Sequence, residues 1–134
     1  MQTICVTLNN GIKMPILGFG TFKVEDAQQT IDAVKCALEL GYRHIDTATI
    51  YQNEEGVGQA IKESGIPREE IFLTSKVWNS DQGYESTLKA FETSLKKLQT
   101  DYLDLYLIHW PKALNHETWR ALEELYNQGR IRAI

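Results

Sequence analysis

Hydrophobic positions along the chain follow two periods, and the switches between them mark out its elements. Thr3 to Leu8 alternates weakly and runs into Asn9-Asn10-Gly11, a hairpin-turn signal; Lys13 to Ile16 then supplies a returning strand. Leu17-Gly18-Phe19-Gly20 reads as a short strand ending on glycine. From there helices and strands alternate. Ala27, Ile31, Val34 and Leu38 fall at helical spacing, stopped by Gly41, and Tyr42 to Ile45 is a strand. Asn53 stands where a helix cap is expected, and Glu54 and Glu55 fill a first turn where acidic residues suit the helix dipole. Val57, Ala60 and Ile61 give that helix its apolar face, closed by Ser64-Gly65 and Ile66-Pro67. Ile71 to Ser75 is a strand, Leu88, Phe91, Leu95 and Leu98 a helical stripe, and Tyr102 to Ile108 another strand. Trp119, Leu122, Leu125 and Tyr126 mark a last helix, ended by Gly129, and Ile131 to Ile134 opens one more strand.

The unit of strand, loop and helix recurs about every 30 residues, the length of a βαβ step. Nearly apolar strands joined by helices predict a parallel sheet covered on its faces. A doubly wound open sheet and a (β/α)8 barrel both fit. A complete barrel takes ~250 residues. The expected organisation is therefore one incomplete domain over residues 1–134: an N-terminal hairpin, about four βα units and the start of a fifth strand.

Composition narrows the partners. The chain has 134 residues, 43% hydrophobic and 24% charged, with a net charge of -4. An acidic chain is a poor match for nucleic acid or an anionic membrane surface. No apolar run approaches the roughly 20 residues of a membrane span. Met1-Gln2-Thr3 lacks the basic start of a leader, and Ile4 to Leu8 is too short for its apolar core. Cys5 and Cys36 lack CxxC or metal spacing and read as reduced thiols of a cytoplasmic protein.

Four residues sit at, or just after, the ends of predicted strands: Asp46, Tyr51, Lys76 and His109. In a βα barrel that rim carries the chemistry. Lys76 follows an apolar strand, where its charge is costly without a partner, and Asp46 on the neighbouring strand is one. The two form either a structural ion pair or proton-tuning machinery. A free phenol titrates near ~10, so Tyr51 needs a nearby cation to work at neutral pH. His109 ends an apolar strand; alone it would read as a core residue. Together the four suit protonation of a carbonyl oxygen while another group delivers a hydride. Neither His44 nor His116 shows ligand spacing with His109, so no metal is expected. Phe22, Trp78 and Trp110 lie in loops on the same rim and line an apolar pocket or pack the loops. Gly18-Phe19-Gly20 and Gly56-Val57-Gly58 both lack the third glycine of a dinucleotide fingerprint and read as tight turns.

These residues also carry a resemblance. Gly18-Phe19-Gly20-Thr21, Asp46-Thr47-Ala48-x-x-Tyr51-x-Asn53-Glu54-x-x-x-Gly58, Thr74-Ser75-Lys76-Val77-Trp78-Asn79 and Asp101 to Pro111 closely resemble the aldo-keto reductases, in order and in register. Within the family the chain looks most like bacterial 2,5-diketo-gluconate and methylglyoxal reductases. The resemblance implies the N-terminal half of a (β/α)8 TIM-type barrel and reduction of a small aldehyde or ketone with NADPH or NADH. By position, Tyr51 is the general acid, Lys76 the cation beside it, Asp46 the partner of Lys76, and His109 the group orienting the carbonyl. Gly20, Thr21 and Asp46 lie where the family approaches the nicotinamide ribose; Phe22, Trp78 and Trp110 match pocket positions, with Phe22 where many members have tryptophan. Family members continue for as long again, with a Ser-Asn pair and basic residues that hold the cofactor. The expectation is therefore weak cofactor binding by these residues alone, and self-association or pairing with a complementary barrel half, because the concave face of an open half-barrel, with Ile45, Leu73, Leu105 and Leu107 among its candidates, would meet water. A non-catalytic folding or association module is the alternative.

Overall fold

A computed structural model describes residues 3–134. The reading of the N-terminus as free of a leader falls outside them at Met1 and Gln2. Strands β1 (Cys5–Thr7) and β2 (Lys13–Pro15) form the expected antiparallel hairpin, with Gly11 at φ 86 in its turn. Five parallel strands follow: β3 (Phe19–Gly20), β4 (His44–Asp46), β5 (Phe72–Val77), β6 (Leu103–Ile108) and β7 (Ile131–Ala133), hydrogen-bonded in chain order. The connections are helices α1 (Ala27–Glu39), α2 (Glu54–Ser64), α3 (Tyr84–Leu98) and α4 (Asn115–Asn127). The architecture is thus α/β with an all-parallel sheet.

Three strand boundaries move, each for a local reason. Tyr42 donates its backbone N–H to Ala37 in the left-handed turn at Gly41 that closes α1, so β4 begins only at His44. Ile71 donates to Arg68 in a single 3-10 turn, which delays β5 to Phe72. At its other end β5 runs past Ser75, because Lys76 and Val77 pair with Leu107 and Ile108. Lys76 is therefore a strand residue, held more rigidly than a loop residue would be.

The core lies between helices and sheet. Val34 and Leu38 of α1, Val57 of α2, Phe91 and Leu98 of α3 and Leu122 of α4 are all buried. Phe91 packs on Tyr106 of β6 at a ring separation of 5.2 Å. Two expectations are corrected. Trp119 and Tyr126 are exposed, and the buried stripe of α4 is Thr118, Ala121, Leu122 and Leu125. Ile45 and Leu73, expected on the open concave face, are fully buried in the helix-facing core. Ser75, two residues along from Leu73 and so on the same face, bonds a side chain of α2, which fixes that orientation. Leu105 and Leu107, paired with Thr74 and Lys76, do lie on the open side and are half-buried.

The hairpin spans the sheet. The Pro15 carbonyl lies 3.2 Å from Nδ1 of His44 in β4, and Asn10 Nδ2 donates to the Arg132 carbonyl of β7 at 2.8 Å. Gly58 sets the depth of the helix layer. A Cβ there would stand 2.6–2.7 Å from backbone atoms of Leu98, so α2 rests directly on the end of α3. Backbone cannot rotate out of the way as a side chain can. Gly58→Ala is expected to destabilise the fold by about 1–3 kcal/mol through overpacking, read as a lower midpoint in urea.

Candidate active site

The register of β4 on β5 builds the rim. Asp46 pairs with Thr74, one pleat short of Lys76, so both side chains rise from one face of neighbouring strand ends. Lys76 Nζ donates to Asp46 Oδ1 at 2.7 Å and to the Thr47 carbonyl at 2.9 Å. The lysine side chain is only 14% exposed, against 35% for Asp46. Two acceptors thus replace most of the ammonium's water, which is what a buried cation requires.

Tyr51 ends a 3-10 turn, Thr49–Tyr51, that follows β4. Its ring lies 5.1 Å from Lys76 Nζ and 5.8 Å from the His109 ring, edge to face. Thr49 holds this turn by donating its hydroxyl to the Lys76 carbonyl at 3.0 Å. His109 follows β6 and is anchored by its N–H on the Val77 carbonyl, 3.2 Å away. Trp78 packs edge-on against the His109 ring at 5.1 Å, and Trp110 stacks at 6.1 Å. Burial, and then the Lys76 charge, hold the His109 imidazole below its ordinary titration range, while Asp46 acts in the opposite direction. Both of the first two effects favour the neutral form of the imidazole. Its buried Nδ1 has no hydrogen-bond partner among the described residues.

The structure thus brings Asp46, Tyr51, Lys76 and His109 together, with Trp78 and Trp110 beside them. Phe22 joins from the loop after β3, its ring 5.1 Å from that of Tyr51, and is 63% exposed. Phe22 and Trp110 leave apolar surface open at the rim. Gly20 is exposed, with open space where a Cβ would stand. Thr21 is wholly buried. Its hydroxyl meets the Asp46 carbonyl, Thr47 Oγ1 and Asn53 Oδ1 at 3.0–3.3 Å, so what it does for the rim is hold Asp46 and Thr47 in place. Among the described residues, no group of three or more His, Cys, Asp or Glu is placed to hold a metal ion.

Two neighbours of the rim were hidden by a capping pattern. Asn53 precedes α2 as expected but makes no side-chain cap. Its amide instead bonds across to the β3 loop: Nδ2 donates to the carbonyls of Thr21 (2.8 Å) and Val24 (3.0 Å), and Oδ1 accepts from Thr47 (2.8 Å). Glu54, expected as a first-turn acid that suits the helix dipole, is 2% exposed. Its carboxyl accepts from Ser75 of β5 and Ser94 of α3, at 2.8 and 3.2 Å. Burial pushes it above the ordinary carboxylate range, against those hydrogen bonds and the Lys97 charge. The sequence signal was the two polar residues themselves, placed directly before an apolar helix face, which a cap explains equally well.

Known proteins with this arrangement are plentiful. The model of the Aldo/keto reductase family matches residues 16–134. The glyoxal reductase of Bacillus subtilis is 65% identical over 130 residues, which is 96% of this chain and 47% of that protein. A crystal structure of an aldo/keto reductase from Brucella melitensis superposes with a TM-score of 0.94 at 60% identity, covering 98% of this chain and 52% of that one. An aldo-keto reductase of Bombyx mori, solved in complex with NADP, superposes at 0.93 with 39% identity, over 98% of this chain and 49% of its own. The chain spans about half the length of these relatives, and its five-stranded sheet is the corresponding half of their barrel. With sequence, sheet and rim in agreement, this chain belongs to the aldo/keto reductase family.

Proposed function

We propose that these residues are the proton-transfer half of a carbonyl reductase that converts small aldehydes or ketones to alcohols with a nicotinamide cofactor, NADPH or NADH. The observation that carries this reading is the convergence of one phenol, one nearly buried ammonium and one imidazole on an apolar rim. Membership of the family and the NADP bound to the Bombyx mori relative support it. So does the name of the Bacillus subtilis relative, a glyoxal reductase, which points to small carbonyl substrates. No helix among the described residues is long and apolar enough to cross a membrane, in keeping with a cytoplasmic enzyme.

The residues present fit such a cofactor: Gly20 leaves open space next to Asp46, whose carboxylate stays partly exposed beyond its bond to Lys76. When bound, the reduced nicotinamide supplies the hydride that reaches the carbonyl carbon. Tyr51 gives its phenolic proton to the carbonyl oxygen as that oxygen gains charge. Lys76 stabilises the phenolate left behind, and Asp46 keeps the lysine aimed and its charge compensated. A neutral His109 donates a hydrogen bond to the same oxygen from its remaining N–H and orients the carbonyl. Phe22, Trp78 and Trp110 exclude water and take the substrate's apolar part.

Tyr51→Phe keeps the ring contacts and removes the proton. It is expected to lower aldehyde turnover ~10²–10⁴-fold with the circular dichroism unchanged, and near-full turnover would end the assignment. Lys76→Met removes a charge that depresses His109, so the imidazole should titrate at higher pH, followed by its NMR shifts. An unmoved titration would mean the ammonium does not act on the imidazole.

The remaining reading concerns assembly. We infer that residues 1–134 are half of one domain, closed either by further chain or by a second barrel half. β3 and β7 are edge strands, and edges template further pairing. Ile4, Ile16 and Leu17 are exposed around an apolar hollow of about 310 Å³ near Gly41 and Tyr42, away from the rim. Light scattering on residues 1–134 expressed alone should show association; a stable monomer that binds no hydrophobic dye would contradict this.

A further inference from the structure

The loop between β3 and α1 carries Phe22, the side chain that faces Tyr51, and this loop is strained. Lys23 adopts φ 64, a left-handed conformation that costs a non-glycine residue free energy and persists only where the surroundings fix it. Within the loop one main-chain bond spans the turn, from Val24 N–H to the Thr21 carbonyl at 3.2 Å. From outside, the Thr21 N–H bonds the Asp46 carbonyl at 3.0 Å and the Thr30 hydroxyl reaches the Val24 carbonyl at 3.4 Å, but the group that ties both sides of Lys23 at once is Asn53, 5% exposed. The amide bonds carbonyls on both sides of Lys23, at Thr21 and Val24, and its oxygen takes hydroxyl protons from Thr21 and Thr47. Both donors and both acceptor positions of the amide are therefore used. Thr47 is also the residue whose carbonyl receives the Lys76 ammonium.

We propose that Asn53 is a positioning residue that clamps the strained Phe22 loop to the Thr47 segment and so sets the pocket wall against Tyr51. It touches no reacting atom. It acts through Phe22 on the room left for substrate beside the proton donor, which makes it a determinant of substrate size and shape. As a role in catalysis this rests on the carbonyl-reductase reading; as a role in loop geometry it does not.

The chemistry of the clamp demands an amide. In Asn53→Asp, which has the same shape, an oxygen replaces the nitrogen that faces two carbonyls, and attraction becomes repulsion. NMR then reads the loop directly. The nuclear Overhauser contacts between the Phe22 and Tyr51 rings should be lost, while those between Phe91 and Tyr106 in the core remain. With a bulky aromatic aldehyde and NADPH, KM should rise about 10-fold or more with kcat changed much less, and with a two-carbon aldehyde KM should move little. Lys23→Gly in the Asn53→Asp background removes the left-handed penalty and should restore part of the ring contact. Should Asn53→Asp lose the Phe91–Tyr106 contacts as well, Thr47→Val decides. It strips one donor from the amide, keeps the side chain's shape, and should weaken the Phe22–Tyr51 contacts in smaller degree. Unchanged ring contacts in a folded Asn53→Asp, or in Thr47→Val when that variant decides, would overturn the proposal. Lack of turnover with every aldehyde by the unsubstituted protein in a closed barrel, alongside lost ring contacts in Asn53→Asp, would sink the reductase reading and leave the clamp standing.

Discussion

The Lys76 ammonium is the constraint around which this rim is organised. A cation with 14% of its side chain exposed has given up most of its hydration, and the protein must replace it. Asp46 and the Thr47 carbonyl do so, and both must then be fixed themselves. Asp46 is fixed by the β4–β5 register, and Thr47 by its N–H on the Thr74 carbonyl and its hydroxyl on Asn53. Thr21 completes the set from β3. One desolvated charge thus recruits three strands and the start of a helix. The aromatic side chains are added to a frame that this charge already requires.

A second, separate polar group lies on the other side of β5. Glu54 reaches Ser75 and Ser94, and Ser94 lies 3.4 Å from Thr49, whose hydroxyl holds the Lys76 carbonyl. Lys76 is therefore bracketed: its side chain by acceptors on the open face, its backbone carbonyl by the Thr49 hydroxyl, which Ser94 and Glu54 support in turn. Such arrangements favour one geometry over many, because each buried polar group left without its partner costs about 1–3 kcal/mol.

Much of this was legible in the sequence for a plain reason. Periodicity reports burial, and burial dominates where helices lie on a sheet, so all four helices and the parallel strands could be placed from apolar spacing. The rim was legible because strand ends are where apolar runs stop, and a lysine or histidine at such a stop stands out. The reading failed where one pattern has two physical causes. Asn-Glu-Glu before an apolar face is a helix start, and equally two buried polar groups facing other elements. Trp119 and Tyr126 fit the helical stripe by spacing, yet the buried face of α4 is turned one residue back from each, onto Thr118, Ala121, Leu122 and Leu125. Ile45 and Leu73 sat on the unexpected face because a strand read one residue out of phase exchanges its two sides.

The hairpin has a mechanical consequence. It is tied to β4 at His44 and to β7 through the Arg132 carbonyl, so it runs as a chord beneath an arc of four strands. Parallel sheets twist, and the distance between the outer strands of an arc determines its curvature. A chord tied at both ends therefore restrains how far the opposite ends of the strands lean toward one another. Tyr51 after β4 and His109 after β6 meet at 5.8 Å across that opposite end. The tightness of the rim is thus governed in part from the far side of the molecule, as the spread of a fan is governed at its pivot.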